Sequence, residues 1–307
     1  MHSETSSTPL ADVMSPTAGF SIVIPAYNEA KGAGPVLEEL FDALEHKLDP
    51  QIEYEVIVVD DGSVDGTAEV IAKFDHPKLR VIRHPRNRGY GAAIKTGVMH
   101  SRQPWIMITD ADGTYPNEHI PELLAERELH EMVVGARIGQ ISEIPLLRRP
   151  PKWVLRKLAS YLSRSDIPDL NSGLRVMRKD VVQRFENILP NQFSFTSTIT
   201  LSMLSAGYHV KYLPINYLHR AGKSKIRPIA DTLNFLKLIV RTIMYFDPLR
   251  VFLPAAVMFI VGAVALGVGS YSITGRVMDV STLLLFVTGV HMLALGMLAD
   301  ALNRRMQ

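Results

Sequence analysis

The stretch Ile106-Met107-Ile108-Thr109-Asp110-Ala111-Asp112-Gly113 decides the fold prediction. Its branched apolar residues predict a buried strand, and two aspartates one residue apart follow that strand before a glycine turn. Open α/β sheets bind ligands at the carboxyl ends of their strands, and carboxylate oxygens suit a hard cation shared with phosphates. We therefore predict an α/β sheet with a cation site at this strand end. The simpler alternative is a solvated Asp-Gly turn.

Strand-like and helix-like segments alternate before this stretch. Apolar, β-rich runs occupy residues 20–24, 55–59 and 79–82, and helical spacing occupies residues 31–47, 65–74 and 91–100. This order predicts an α/β fold with a mostly parallel sheet and helices on both faces. Because parallel strands end at the same edge of a sheet, we expect the residues after Pro25, Val59 and Ile108 to lie together.

The residues at that edge have the chemistry of a nucleotide-diphosphate site. In chain order the polar ones are Tyr27, Asn28, Glu29, Asp60, Asp61, Asp110 and Asp112. The aromatic ring can stack on a base, and the earlier carboxylates can accept hydrogen bonds from ribose hydroxyls or a base N–H. The last two aspartates can hold a divalent cation against a diphosphate.

Composition excludes several classes of protein. The chain has 307 residues, no cysteine and a formal net charge of +2. Disulfides and thiolate metal sites are excluded, and the charge does not indicate a nucleic-acid partner. Residues 1–18 are rich in Ser, Thr and Pro without an apolar core, so we expect a flexible tail and not a signal peptide.

The C-terminal part predicts a membrane anchor. Residues 252–274 and 281–299 carry no charge, and each segment is long enough to cross a bilayer. We expect a two-helix transmembrane hairpin over residues 251–303, with a buried soluble hairpin as the alternative. Basic residues flank the hairpin at Lys237, Arg241, Arg250, Arg304 and Arg305. The positive-inside rule then places both termini and the N-terminal domain in the cytoplasm.

Residues 229–250 predict an amphipathic helix at the membrane interface, because apolar residues recur at helical spacing opposite basic ones. Within the first span, small residues recur four apart, as at Ala263 and Gly267. Such spacing permits close helix packing, so the sequence allows a homo-oligomer.

Several motifs now carry a family resemblance. They lie at residues 24–29 (IPAYNE), 59–67 (VDDGSVDGT), 87–91 (NRGYG), 110–113 (DADG), 135–137 (GAR), 171–175 (NSGLR) and 222–225 (GKSK). The first four, in order and spacing, resemble glycosyltransferase family 2 with its GT-A fold. The later ones resemble the polyisoprenyl-phosphate glycosyltransferases, which include dolichol-phosphate mannose synthase and bacterial undecaprenyl-phosphate glucosyltransferases. The resemblance implies a GT-A domain over residues 19–228.

The resemblance also implies a nucleotide-sugar donor, a Mg²⁺ or Mn²⁺ ion and inversion at the anomeric carbon. Carried over by position, the donor-binding residues are Pro25, Ala26, Tyr27, Glu29, Asp60, Asp61, Asp110, Ala111, Asp112 and Arg137. Asp110 and Asp112 would serve the metal and the diphosphate, and Arg137 the departing phosphate. Thr114 stands where mannose-synthase-like members often have a metal-binding Gln, so it is a third candidate ligand. Similarity to the bacterial branch favours UDP over GDP.

The acceptor can be argued from chemistry. A lipid monophosphate is already a dianion near pH 7, so it needs positive charge more than a general base. Arg175, Lys223 and Lys225, with the Ser224 hydroxyl, are the candidate contacts, and the loop at 222–225 is a candidate lid over the site. Asp169 can be a base, an orienting group or a structural residue paired with Arg175. The catalytic candidates are therefore Asp112, Asp169 and Arg175.

Together these features predict an integral membrane glycosyltransferase that moves a sugar from a nucleotide diphosphate to polyisoprenyl phosphate. A family 2 transferase acting on a saccharide or glycolipid hydroxyl is the first alternative. A catalytically inactive scaffold tethered through its hairpin is the second, and the complete set of carboxylates argues against it.

Overall fold

The computed structural model describes residues 18–137, 157–161, 163, 165–192, 194–216, 228–276 and 279–306. For residues 228–235, 279 and 304–306 it describes the backbone alone. The tail predicted over residues 1–18 lies outside this description, apart from Ala18.

A seven-stranded sheet forms the centre of the N-terminal domain. Its strands are β1 (Phe20–Ala26), β2 (Tyr54–Asp60), β3 (Leu79–Arg83), β4 (Trp105–Ile108), β5 (Met132–Ala136), β6 (Arg175–Arg178) and β7 (Val210–Pro214). Their order is β3-β2-β1-β4-β6-β5-β7. Strand β6 runs antiparallel to β4 and β5, and the other neighbours are parallel. Because β2, β1 and β4 are parallel neighbours, their carboxyl ends meet at one edge, as predicted.

Helices cover both faces of this sheet. They are α1 (Ala33–Lys47), α2 (Thr67–Ile71), α3 (Tyr90–His100), α4 (Ile120–Ala125), α5 (Lys179–Arg184) and α6 (Phe195–Ser205). The predicted α/β class with a mostly parallel sheet is confirmed. The predicted helix over 65–74 is shorter in the structure, where it covers Thr67–Ile71.

The core follows the alternation of side chains along each strand. In β4, Trp105 and Met107 join the cluster under α1 and α4, whereas Ile106 and Ile108 join the cluster under α3, α5 and α6. All four are fully buried. Burial of such a side chain contributes roughly 1.5–3 kcal/mol to the stability of the fold. Strand β4 is therefore anchored from both faces, and the loop that follows it begins at a rigid strand.

Three long helices complete the chain: α7 (Pro228–Phe246), α8 (Leu249–Thr274) and α9 (Asp279–Met306). Both α8 and α9 are long and apolar enough to cross a membrane, with only 11% of each apolar window buried. They pack on each other as a hairpin, as shown by Gly289, where an added Cβ would lie 2.6 Å from a side-chain atom of Ile260. The predicted helical hairpin is therefore present.

The sequence predicts α7 as an amphipathic helix at the membrane interface, but part of its apolar face packs on the N-terminal domain. Ile239 and Ile243 are fully buried in a cluster with Ala159, Leu170 and Leu201 of the N-terminal domain. These residues therefore dock the helix on protein and are not free to enter a lipid interface.

Candidate active site

The loop after β1 is joined to the loop after β2 by reciprocal hydrogen bonds. The Asn28 amide N–H donates to the Ser63 hydroxyl at 3.0 Å, and the Val64 amide N–H donates to Asn28 Oδ1 at 3.0 Å. Asn28 has a positive φ of 56°, a conformation that Asn tolerates better than most residues. This connection leaves the Tyr27 side chain 45% exposed at the edge of the sheet.

Three other predicted donor-binding residues flank this loop. Pro25 and Ala26 are buried as the last residues of β1, and the Ala26 carbonyl accepts a hydrogen bond from the Asp61 amide at 2.8 Å. The Glu29 amide N–H donates to the Thr67 hydroxyl at 2.9 Å. Pro25 and Ala26 therefore shape the strand end, whereas Tyr27 is the exposed group there.

Asp60 ends β2 with a buried carboxylate that is only partly satisfied. Its Oδ1 accepts the Ser63 amide N–H at 2.9 Å. Its Oδ2 has no hydrogen-bond partner within the described part of the chain and lies 3.3 Å from Arg83 Nε. A buried acceptor left without a hydrogen bond is costly, so this oxygen suits a donor supplied by a ligand.

Asp61 has a different role from its neighbour. Its Oδ1 lies 2.6 Å from His84 Nδ1 and accepts the Arg88 amide N–H at 2.9 Å, while Oδ2 accepts the Gly89 amide N–H at 2.8 Å. The side chain is 2% exposed. These contacts hold the segment before α3 in place. The predicted contact of Asp61 with the nucleoside stays a prediction.

Asp110 and Asp112 lie in the loop after β4 and are partly exposed. Gly113 between this pair and Thr114 has a φ of +71°, which a residue with a side chain rarely adopts. The Thr114 hydroxyl donates to Asp112 Oδ1 at 2.6 Å, and the Thr114 amide N–H lies 3.1 Å from the same oxygen. The turn therefore orients the carboxylate of Asp112.

This carboxylate pair fits a cation that takes its other ligands from a substrate. Among the residues that the structure describes, no group of three or more His, Asp or Glu side chains is placed to hold a metal. Mg²⁺ and similar ions are typically bound by one or two carboxylates, with phosphate oxygens and waters completing the shell. Asp110 and Asp112 supply such a donor set.

Arg137, just after β5, forms a two-point ion pair with Asp169. Its Nε donates to Asp169 Oδ2 at 2.6 Å, and the Nη2 group donates to Oδ1 at 2.8 Å. Burial by itself raises the pKa of Asp169, but the hydrogen bonds and charge of Arg137 outweigh burial and hold that pKa below its usual value. Asp169 therefore pairs with Arg137, where the sequence had suggested Arg175 as its structural partner.

Arg175 does not reach the site surface. Its side chain is fully buried, and its guanidinium donates to the Ser172 carbonyl, to the Thr196 carbonyl at 3.0 Å and to the Thr200 hydroxyl at 2.9 Å. These contacts give Arg175 a structural role between β6 and α6. Its predicted roles in catalysis and in binding the acceptor phosphate stay predictions.

The candidate lid falls outside the described residues. Lys223, Ser224 and Lys225 belong to the segment 217–227, and their predicted contact with an acceptor phosphate stays a prediction.

Two tyrosines near Asp110 were not predicted as site residues. The Tyr90 hydroxyl donates to Asp110 Oδ1 at 2.9 Å, and the Tyr115 hydroxyl accepts the Gly173 amide N–H at 2.7 Å. Burial, then the charge of Asp110, raises the pKa of Tyr90 well above its usual value, so its hydroxyl stays protonated. Tyr90 lies in the NRGYG motif, which was the available sequence signal, whereas nothing local marked Tyr115.

Acidic residues lie at the ends of neighbouring strands in an α/β domain, and two long apolar helices follow that domain. This arrangement is typical of an enzyme that binds its substrate at the carboxyl ends of the strands. Residues 21–185 match Glycosyl transferase family 2, and residues 247–304 match the GtrB C-terminal hairpin. The chain belongs to glycosyl transferase family 2 and is a glycosyltransferase.

Two similar proteins are named for transfer to dolichyl phosphate. A dolichyl-phosphate hexose transferase of Haloferax volcanii is 30% identical over 72% of this chain and 92% of its own length. A dolichyl-phosphate beta-glucosyltransferase of Trichomonas vaginalis is 29% identical over 78% of this chain and 75% of its own length.

Similar folds are found among solved structures. Glucosyl-3-phosphoglycerate synthase from Mycobacterium tuberculosis, solved with Mn²⁺, UDP and phosphoglyceric acid, superposes with a TM-score of 0.57. The match has 17% identity and covers 76% of this chain and 81% of that one. It shows a shared fold.

Proposed function

We propose that this glycosyltransferase moves a sugar from a nucleoside-diphosphate sugar to a polyisoprenyl phosphate, with inversion, at a membrane surface. The observation that carries the proposal is the set of acidic residues on β2 and after β4, in a family 2 domain followed by an apolar hairpin. The names of the Haloferax and Trichomonas relatives support the acceptor class.

The donor would lie across the three strand ends. Tyr27 offers an exposed ring for stacking on the base. Asp60 Oδ2, which has no hydrogen bond from the residues that the structure describes, would accept one from the base or the ribose. We favour UDP over GDP, since the Mycobacterium neighbour was solved with UDP. Glu29 would contact the nucleoside, as the resemblance to family 2 implies, and its carboxylate can accept hydrogen bonds from the ribose hydroxyls.

Asp110 and Asp112 would hold Mg²⁺ or Mn²⁺, which when bound neutralises charge on the diphosphate leaving group. Thr114 acts through Asp112, because its hydroxyl already donates to that carboxylate. Arg137 follows β5, which ends at the same edge of the sheet as β4. Arg137 would bind a phosphate oxygen, held in orientation by Asp169.

The acceptor phosphate would act as the nucleophile without a general base. As a dianion it carries its own negative oxygen, and in-line attack on the anomeric carbon inverts the configuration there. Asp169 is a poor base for a hydroxyl acceptor because its pKa is held down by Arg137. This geometry supports the phosphate acceptor over the saccharide or glycolipid hydroxyl. Lys223, Ser224 and Lys225 remain our candidates for the acceptor phosphate.

The hairpin would bring the domain to the lipid. We propose that α8 and α9 span the membrane, with the catalytic domain and both termini in the cytoplasm, because the basic residues that flank the hairpin favour the cytoplasmic side. The exposed face of α7 carries Lys237, Arg241 and Tyr245, groups that suit anionic headgroups. Small residues recur four apart on α8 and would permit close packing with a second copy, so self-association is a further proposal.

A substrate panel tests the proposal. The full chain in detergent would be given UDP- and GDP-linked hexoses with a polyprenyl phosphate, and the lipid product would be identified by mass spectrometry. We expect one nucleotide sugar to yield a polyprenyl-phosphate hexose in the presence of Mg²⁺ or Mn²⁺. If every donor leaves the lipid phosphate unmodified while a glycolipid is extended, the hydroxyl alternative replaces this one.

A further inference from the structure

Asp110 is held from two sides by residues far away in sequence. On one side the Tyr90 hydroxyl donates to Oδ1 at 2.9 Å. On the other side Gly173 approaches so closely that a Cβ added there would lie 2.7 Å from Oδ2 and 3.0 Å from the carboxyl carbon. Such distances are too short for a real Cβ, so the carboxylate fills space that only glycine leaves open.

Among the contacts that the structure describes, the close approach to Asp110 is what requires glycine at residue 173. Gly173 does not have a positive φ, so its backbone would accept alanine without strain. All three atoms nearest to the hypothetical Cβ belong to Asp110. The obstacle to a side chain at 173 is therefore the carboxyl group of Asp110.

Gly173 is itself fixed in place. Its amide N–H donates to the Tyr115 hydroxyl at 2.7 Å, and the preceding residue, Ser172, donates from Oγ to the Gly135 carbonyl at 2.5 Å. The Ser172 carbonyl accepts the buried guanidinium of Arg175. The segment that faces Oδ2 thus cannot move away without breaking several buried hydrogen bonds.

We propose that Tyr90 and Gly173 are positioning residues that fix the rotamer of Asp110, with Tyr115 and Arg175 holding Gly173 against it. The functional consequence, a correctly placed oxygen ligand for the cation, rests on the proposed function. The geometric claim, that these residues fix the rotamer of Asp110, does not rest on it. Partners of this kind typically change metal affinity by 10- to 100-fold when removed.

A double-mutant cycle tests the geometric claim without metal or nucleotide. The melting temperature of the full chain in detergent would be measured for Gly173→Ala alone and in an Asp110→Ala background. We expect Gly173→Ala to lower the melting temperature by about 3–8 °C in the wild type, because overpacking is destabilising. In the Asp110→Ala background the loss should disappear. Equal losses in both backgrounds would overturn the proposal.

Gly34→Ala is the matched control for the glycine change. Its added Cβ would meet its nearest neighbour, Val70 Cγ1, at an ordinary 3.4 Å. We expect no loss of melting temperature for Gly34→Ala in either background.

Equilibrium binding of Mn²⁺ in the presence of UDP, measured by electron paramagnetic resonance, tests the functional consequence. Tyr90→Phe removes only the hydroxyl and should weaken Mn²⁺ binding about tenfold. Tyr208→Phe should leave Mn²⁺ binding unchanged, because the Tyr208 hydroxyl accepts a hydrogen bond from Arg184 and does not contact Asp110. Wild-type affinity in both Tyr90→Phe and Gly173→Ala would overturn the positioning role. If the wild type itself binds no Mn²⁺, the proposed metal role fails and the cycle still decides the geometric claim.

Discussion

Asp60 and Asp61 are adjacent in sequence and opposite in chemical role. Within the described part of the chain, Asp60 keeps one buried oxygen without a hydrogen bond, whereas both oxygens of Asp61 accept backbone N–H groups of the segment before α3. The alternation of side chains at a strand end sends the two carboxylates to different surroundings. At this scale an acidic motif contains both a candidate ligand and a structural anchor.

Asp112 provides the first prediction at the residue scale. Asp112→Ala removes one of two candidate cation ligands, so we expect turnover to fall by at least about 100-fold, a loss of roughly 2.7 kcal/mol or more in barrier lowering. Excess EDTA should abolish the activity of the wild type, and added Mg²⁺ or Mn²⁺ should restore it. Full activity in EDTA would refute the metal assignment.

Asp169 provides the second prediction at the residue scale, which concerns the pH dependence of the transfer rate. Its folded pKa lies below the ordinary value of about 3.9, so the residue stays ionised between about pH 5 and 8. Its pairing contributes to stability above the unfolded pKa and is lost as the pH falls through the folded pKa. The acidic limb of the rate profile should instead follow the acceptor phosphate, near pH 6.

Asp169→Asn should therefore lower the plateau rate about tenfold, since Arg137 loses a charged hydrogen-bond partner, and leave the limb in place. The profile of kcat/KM for the lipid phosphate is the measurement. Disappearance of the limb in Asp169→Asn would identify Asp169 as a general base after all.

At the scale of elements, α7 is a packed part of the catalytic domain as well as a link to the hairpin. Ile243 is fully buried, whereas the adjacent Met244 is 36% exposed. We expect Ile243→Ala to destabilise the domain by about 2–4 kcal/mol and Met244→Ala by less than about 0.5 kcal/mol in detergent. Denaturant unfolding measures both. Equal, small effects would mean that α7 belongs to the membrane surface alone.

The first half of the sheet could be predicted from sequence because its signals are local. Residues 106–108 form a continuous apolar run that ends at an acidic turn, and the periods of the helices α1 and α3 are clear. The antiparallel strand β6 could not be predicted, because its place between β4 and β5 depends on pairing across long loops.

The second half of the domain also buries polar residues that are usually expected at the surface. Helix α6 has buried Thr196, Ser197, Thr198, Thr200 and Ser202. The Thr196 carbonyl and the Thr200 hydroxyl accept hydrogen bonds from the Arg175 guanidinium. From sequence alone, such an arginine is expected to face solvent or a ligand. Burial of this kind is hard to predict because the hydrogen-bond partner that permits it is more than 20 residues away.

At the scale of the whole molecule, the domain and the hairpin should separate in function. Truncation after Arg250 keeps α7 and removes α9 and all of α8 except Leu249 and Arg250. We expect a folded domain that binds UDP as the full chain does and glycosylates a short, water-soluble prenyl phosphate. Transfer to long-chain polyprenyl phosphate in bilayers should drop at least tenfold, because the acceptor is no longer met at the membrane surface.

Truncation after residue 216, which also removes α7, is the control. It uncovers Ala159 and Leu201, so that protein should lose thermal stability even in detergent. Unchanged bilayer activity in the protein truncated after Arg250 would show that the hairpin is dispensable for access to the lipid.

The central claim is that the acceptor is a phosphate, and the most direct measurement compares two lipids that differ only in that group. Release of nucleoside diphosphate by the full chain would be followed with polyprenyl phosphate and with the matching polyprenol, at saturating Mg²⁺ and donor. We predict release only with the phosphate, with one nucleoside diphosphate formed for each glycosylated lipid. Equal release with polyprenol, or release independent of either lipid, would contradict the account.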